Sequence, residues 1–154
     1  MRDITDRSRC PDDQLRGDFA TVFGDESADY QGALDLYYVD GPPSDWQSRF
    51  ISAYASAHPA EDWAETWGHY LHIHAALETA AAHGLIPYWP EDVDITTRIN
   101  TWRGLSVTLN ELNRSVGRRD AYPFVLNVAV EEKLAFVDRV IGLLRIPAPV
   151  MGAG

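Results

Sequence analysis

Proline and glycine cut this chain into runs of 10 to 25 residues, and within each run the apolar side chains recur three and four positions apart. That pattern constrains the fold more than any other feature. Spacing of three and four gathers side chains on one face of a helix, whereas a strand needs strict alternation. No alternating run of strand length and no internal repeat is present. The spacing therefore predicts an all-α fold, about six helices around one core.

The first predicted helix covers about 12–22 and stops at Gly24. The second starts near Ser27, sets Tyr30, Leu34, Tyr37 and Tyr38 on one face, and ends at Gly41-Pro42-Pro43. Ser44 with Gln47 three residues on reads as a capping box. It would open a third helix striped by Trp46, Phe50, Ala53, Tyr54 and Ala57. Pro59, tolerated in a first turn, starts a long helix to about His83, with Trp63, Trp67, Leu71 and Leu77. Residues 85–95 hold two prolines and read as a crossing loop. A helix over about 96–116 follows, striped by Trp102, Leu105, Leu109, Leu112 and Val116, with Gly117 as its stop. After a connector at 120–126, Asn127 caps a last helix, Val128 to Leu144. Val130, Leu134, Val137, Ile141 and Leu144 are its predicted buried face. The expected organisation is a loose segment at 1–11, one helical domain at 12–146 and a tail at 147–154.

Apolar residues make up 45% of the 154, enough for a real core, so wholesale disorder is excluded. The net charge is −10, and residues 1–65 carry 14 Asp and Glu against 5 Arg. That half repels phosphate backbones, so nucleic acid is not an expected partner. The one cysteine, Cys10, allows neither an internal disulfide nor a zinc knuckle and fits a reduced, cytoplasmic setting. The N-terminus MRDITDRSRC lacks the apolar core of a signal peptide, and no run is long enough to span a membrane.

Polar chemistry concentrates in HPAEDWAETWGHYLHIH, residues 58–74. Glu61 and Glu65 are four apart and share a helix face, and His69 continues that stripe. Two carboxylates so placed repel, and if buried they call for a cation or a proton. The plain alternative is local. With His58 as N-cap, Glu61 falls at the third helical position, where Glu commonly caps the helix and favours its dipole. Glu65 and His69 would then be an ordinary i,i+4 pair. His72 and His74 lie about 200° apart around a helix and cannot meet one ion from the same segment. Tyr54, seven residues before Glu61, reads either as a core residue or as a hydroxyl able to stabilise an oxyanion.

The words EDWAE, HYLHI, LNRS and YPFVL, with VFGDESADYQGAL and GPPSDWQ upstream and KLAFVDRVI downstream, occur in order. Together, over about residues 15–145, they resemble a bacterial family of zinc-binding metallopeptidases. Members of that family resemble zincins: a cysteine-rich ribbon, then an HExxH helix, then the helical part seen here. The segment from Tyr54 through Glu61 to Glu65 is also similar to lethal-factor-type zinc proteases. The resemblance implies peptide-bond hydrolysis by a zinc-activated water, with a peptide or protein substrate. It implies Glu61 as metal ligand and Tyr54 as the catalytic hydroxyl. Glu65 would be an outer residue orienting a ligand or the alternative ligand, and His69 a further outer residue.

The 154 residues contain no HExxH. The reading from sequence is thus a truncated C-terminal helical part of a zincin-like domain, inactive and without zinc by itself. Loss of the HExxH helix should expose apolar surface and favour self-association. Two alternatives stand beside it: a non-enzymatic helical interaction module, and a bundle metal site built from Glu61, Glu65 and His69.

Overall fold

The computed structural model describes residues 11–145, and they form five α-helices with no strand among them. These are α1 (Pro11–Phe23), α2 (Tyr30–Asp40), α3 (Pro59–Ala82), α4 (Ile95–Ser115) and α5 (Val128–Leu144), with three short 3-10 turns between them. The fold is all-α, as the spacing predicts. The expected loose segment and tail lie outside the described residues, apart from Pro11, which begins α1.

α3 is the central element. Tyr70, Ile73 and Leu77 on α3 meet Ile99 and Trp102 of α4 and Val130, Leu134 and Val137 of α5. Ile51 and Ala55 close this core at one end, and Tyr122 and Leu126 of the α4–α5 connector join it. A satellite aromatic cluster ties α1 to α3 and α5. Phe19 and Phe23 set their rings edge-on to Trp63 and Phe136 at centroid distances of 5.4–6.1 Å. Edge-to-face packing at such distances adds about 0.5–1.5 kcal/mol per pair beyond area burial. Gly24, at φ +103, ends α1, and a Cβ there would sit 3.3 Å from the Pro59 ring at the start of α3.

Two predicted helices change. The helix expected from Ser44 is instead two 3-10 turns, Trp46–Ser48 and Tyr54–Ser56. The first is preceded by Asp45 and carries no side-chain cap, so the Ser44–Gln47 box does not form. Serine hydroxyls explain the break. Ser48 and Ser56 donate to the carbonyls of Asp45 and Ala53, and Ser52 accepts from the Ala55 amide. Such local bonds offer the backbone an alternative to the helical ladder. The second helix begins three residues later than expected. Ser27 is held by Asp25 through both its amide and hydroxyl, and Asp29 takes the capping role, accepting from the Gly32 amide.

The apolar stripes are only partly buried. Leu71 of α3, Leu109, Leu112 and Val116 at the end of α4, and Leu144 of α5 are exposed rather than core. α2 buries no residue at all, although its Tyr37 ring packs edge-on to Tyr54.

Candidate functional site

His58 sets up the first turn of α3. Its Nδ1 accepts from the Ala60 amide, so the proton resides on Nε2, which donates to the Ala28 carbonyl. One side chain thereby caps α3 and ties its start to the segment entering α2. Pro59 follows at the first helical position, and Glu61 comes at the third. The His58 cap is the one foreseen from sequence. The Glu61 carboxylate, however, accepts a hydrogen bond from the Tyr30 hydroxyl of α2. The Tyr30 ring in turn packs edge-on to His58, centroids 5.1 Å apart.

Tyr54 faces the same corner. Its hydroxyl is pushed up to about 12, first by burial, then by the negative charge of Glu61 and a hydrogen bond with Tyr38. Tyr30 is also raised, chiefly through its bond to Glu61. Both phenols therefore keep their protons at neutral pH, and the Tyr30 hydroxyl donates to the Glu61 carboxylate. The structure thus brings together Glu61 and Tyr54, the pair singled out from sequence, and adds Tyr30.

Glu65 and His69, one and two turns further along α3, each have a different neighbour. Glu65 accepts from the Ser52 hydroxyl at 2.8 Å. His69 is buried, shares a 2.9 Å hydrogen bond with the Tyr122 hydroxyl and packs edge-on to Phe124. Burial holds its pKa below the usual value, with the Glu65 charge acting the other way, so at neutral pH the ring is uncharged. The stripe therefore consists of three separate stations. Glu61, Glu65 and His69 are not a convergent ligand set; among the described residues, the one such set is His74, Glu78 and Glu91.

Two polar clusters were not read from the sequence. Asp62 is fully buried beside Glu61, with Lys133 Nζ of α5 2.7 Å from its Oδ2. Lys133 also donates to the Arg49 carbonyl and lies 4.3 Å from the Phe50 ring centroid. The carboxyl of Asp62 is pushed up to about 6 by burial, opposed by Lys133 and Thr66. In the second cluster, Tyr70 and Arg98 both donate to Asp138, joining α3, α4 and α5. A signal for Lys133 exists in the sequence: it stands among Val130, Leu134 and Val137, on the face that α5 buries.

These features define an all-helical domain with a carboxylate held by a tyrosine hydroxyl at the start of its central helix. The chain belongs to the family described as "Putative zinc-binding metallo-peptidase", whose model matches residues 6–140. It is similar to uncharacterized proteins of Mycobacterium bovis and of two strains of Mycobacterium tuberculosis, each 48% identical over 130 residues. The match takes in 80% of this chain and 38% of each relative, so the chain spans about two-fifths of their length. No solved structure matches the chain.

Proposed function

We propose that this chain forms the helical half of a zinc-peptidase site, in which Glu61 is one metal ligand and Tyr54 the hydroxyl that donates to the reacting carbonyl oxygen. The observation that carries the reading is the corner itself. Glu61 is set by Tyr30, and Tyr54 keeps its proton within electrostatic reach of it. Ligand carboxylates are commonly oriented by an outer hydrogen-bond donor, which is the part Tyr30 plays. Zinc, when bound, polarises a carbonyl and lowers the pKa of a coordinated water.

The donor set fits only one corner of such a site. A catalytic zinc takes three protein ligands. Glu65 and His69 point to their own partners, and no HExxH occurs in the 154 residues. On this reading the chain by itself neither holds zinc through Glu61 nor cleaves peptides, and the remaining ligands come from an HExxH helix seated against this corner. Tyr54 acts here as a donor and not as a base, since its proton is retained far above neutral pH. The substrate is a peptide rather than a nucleic acid, in keeping with the net charge of −10. No helix among the described residues is long and apolar enough to cross a membrane. A cytoplasmic site of action belongs to the same reading.

The test is a fusion in which an HExxH-bearing segment of the family precedes this chain. Zinc content and hydrolysis of a peptide mixture are measured. The fusion should bind one more zinc per chain than this chain does alone, and should cleave peptides. Glu61→Gln should lose that additional zinc, and Tyr54→Phe should keep it while lowering kcat by about 10²–10³-fold. A folded fusion that retains the additional zinc after Glu61→Gln overturns the assignment.

One observation favours a second reading, a helical interaction module. α2 presents Leu36, Tyr38 and Val39 to solvent, and the end of α4 presents Leu112 and Val116. Exposed apolar patches of this kind mark contact surfaces. A folded fusion with neither the additional zinc nor peptidase activity would turn the assignment toward that module.

A further inference from the structure

A second group of side chains able to bind a metal lies beyond the Glu61 corner. Three turns further along α3, His74 and Glu78 share a face, and Glu91 comes to meet them from the 3-10 turn Pro90–Asp92. His74 Nε2 stands 3.4 Å from a Glu91 oxygen and 3.8 Å from a Glu78 oxygen. Those separations exceed the about 2.7–3.2 Å of a good N–H···O bond. They suit co-ligands instead: two atoms each about 2.1 Å from one tetrahedral ion lie roughly 3.4 Å apart. The three ligand atoms fall within 4.8 Å of one another.

The arrangement is held from behind. The His74 ring stacks on Tyr70, 6° from parallel, and Tyr70 is itself fixed by its bond to Asp138. Pro90 is fully buried, which anchors the turn that carries Glu91. His74 Nδ1 is buried without a hydrogen-bond partner, so the outward-facing Nε2 is the ring atom left to interact. One imidazole nitrogen and two carboxylates make a nitrogen-and-oxygen donor set, with open positions toward solvent.

We propose that His74, Glu78 and Glu91 form a surface site for a divalent transition-metal ion of the zinc class, with water completing the shell. Imidazole in the set favours zinc, cobalt or nickel over magnesium or calcium. The site is independent of Glu61 and needs no residue from another segment. Partial exposure, and the missing acceptor at Nδ1, make it weaker than a closed structural site.

The experiment uses the purified chain, stripped of metal with a chelator and titrated with Zn²⁺ by calorimetry and with Co²⁺ by visible absorption. One equivalent of each should bind. The single variants Glu78→Gln and Glu91→Gln should weaken binding tenfold or more while keeping the wild-type helical signal. Both side chains are substantially exposed, so folding should survive. Glu61→Gln should bind as wild type does, which separates this site from the proposed peptidase corner. Absence of binding overturns the proposal, as does binding unaffected by either carboxylate change. Binding lost only in Glu61→Gln overturns it in favour of the other end of α3.

Discussion

Glu61 and Asp62 are adjacent in sequence and occupy opposite surroundings. Glu61 is half-buried with its carboxylate on the Tyr30 hydroxyl, and Asp62 is buried against Lys133. Removing one partner of a buried ion pair strands the other, at about 3–5 kcal/mol. Lys133→Met should therefore lower the unfolding free energy by about that amount in urea titration. A loss below 1 kcal/mol would mean that water reaches Asp62. Its titration adds a pH signature. The folded-state value of about 6 lies above that of an exposed aspartate, so between roughly pH 4 and 6 the folded protein binds more protons than the unfolded chain. The stability contributed by Asp62 is thus present at the acid end of that window and lost as pH rises through 6. Relative to Asp62→Asn, the wild type should gain stability when pH is lowered from 7 to 5. Asp94, lowered mainly by its cap bond to the Thr97 amide, and Asp120, lowered by Arg114, act oppositely but only below about pH 4. At the site, Glu61→Gln should let Tyr54 ionise at lower pH, because the Glu61 charge helps raise it. The Tyr54 ring-carbon resonance followed through alkaline pH checks this. An unchanged midpoint would mean that burial alone sets it.

Elements were legible where the local signal was strong and self-consistent. α5 starts after its Asn127 cap and runs through Leu144, as the sequence predicts. Asn127 does two jobs: Oδ1 accepts from the Val130 amide, and Nδ2 donates to the Gln47 carbonyl across the molecule. Asn127→Ala should cost about 1–2 kcal/mol by denaturant melt, and Asn127→Asp should recover only the cap. The segment 44–57 was misread for the converse reason. Its apolar spacing is helical, but Ser48, Ser52 and Ser56 satisfy nearby backbone groups and divert the chain. The α4 stripe shows a third case. Leu109, Leu112 and Val116 keep helical spacing to the end, yet Leu112 is 61% exposed and Val116 73%. Periodicity reports which residues share a face, and not whether another element covers it.

Across the whole molecule, what the sequence hid was pairing at a distance. Asp62 meets Lys133 and His74 meets Glu91 through the packing of α5 and the crossing loop onto α3, and neither pair has a local spacing. The nearness of Glu61 and Tyr54 was legible because they stand only seven positions apart and a family pattern joins them. The exposed apolar residues of α2 and α4 bear on the behaviour of the whole chain. Gel filtration across a hundredfold range of concentration should show self-association, and Leu112→Lys with Val116→Lys should reduce it. An elution volume independent of concentration would count against that expectation. Lys133 has one further consequence. It is the chain's sole lysine and is only 5% exposed. The folded domain therefore offers amine-reactive reagents no side-chain target on its surface. Acylation of Lys133 should proceed only when α5 lifts from α3, so the labelling rate doubles as a clock for opening of the core, with the N-terminal amine as an internal standard.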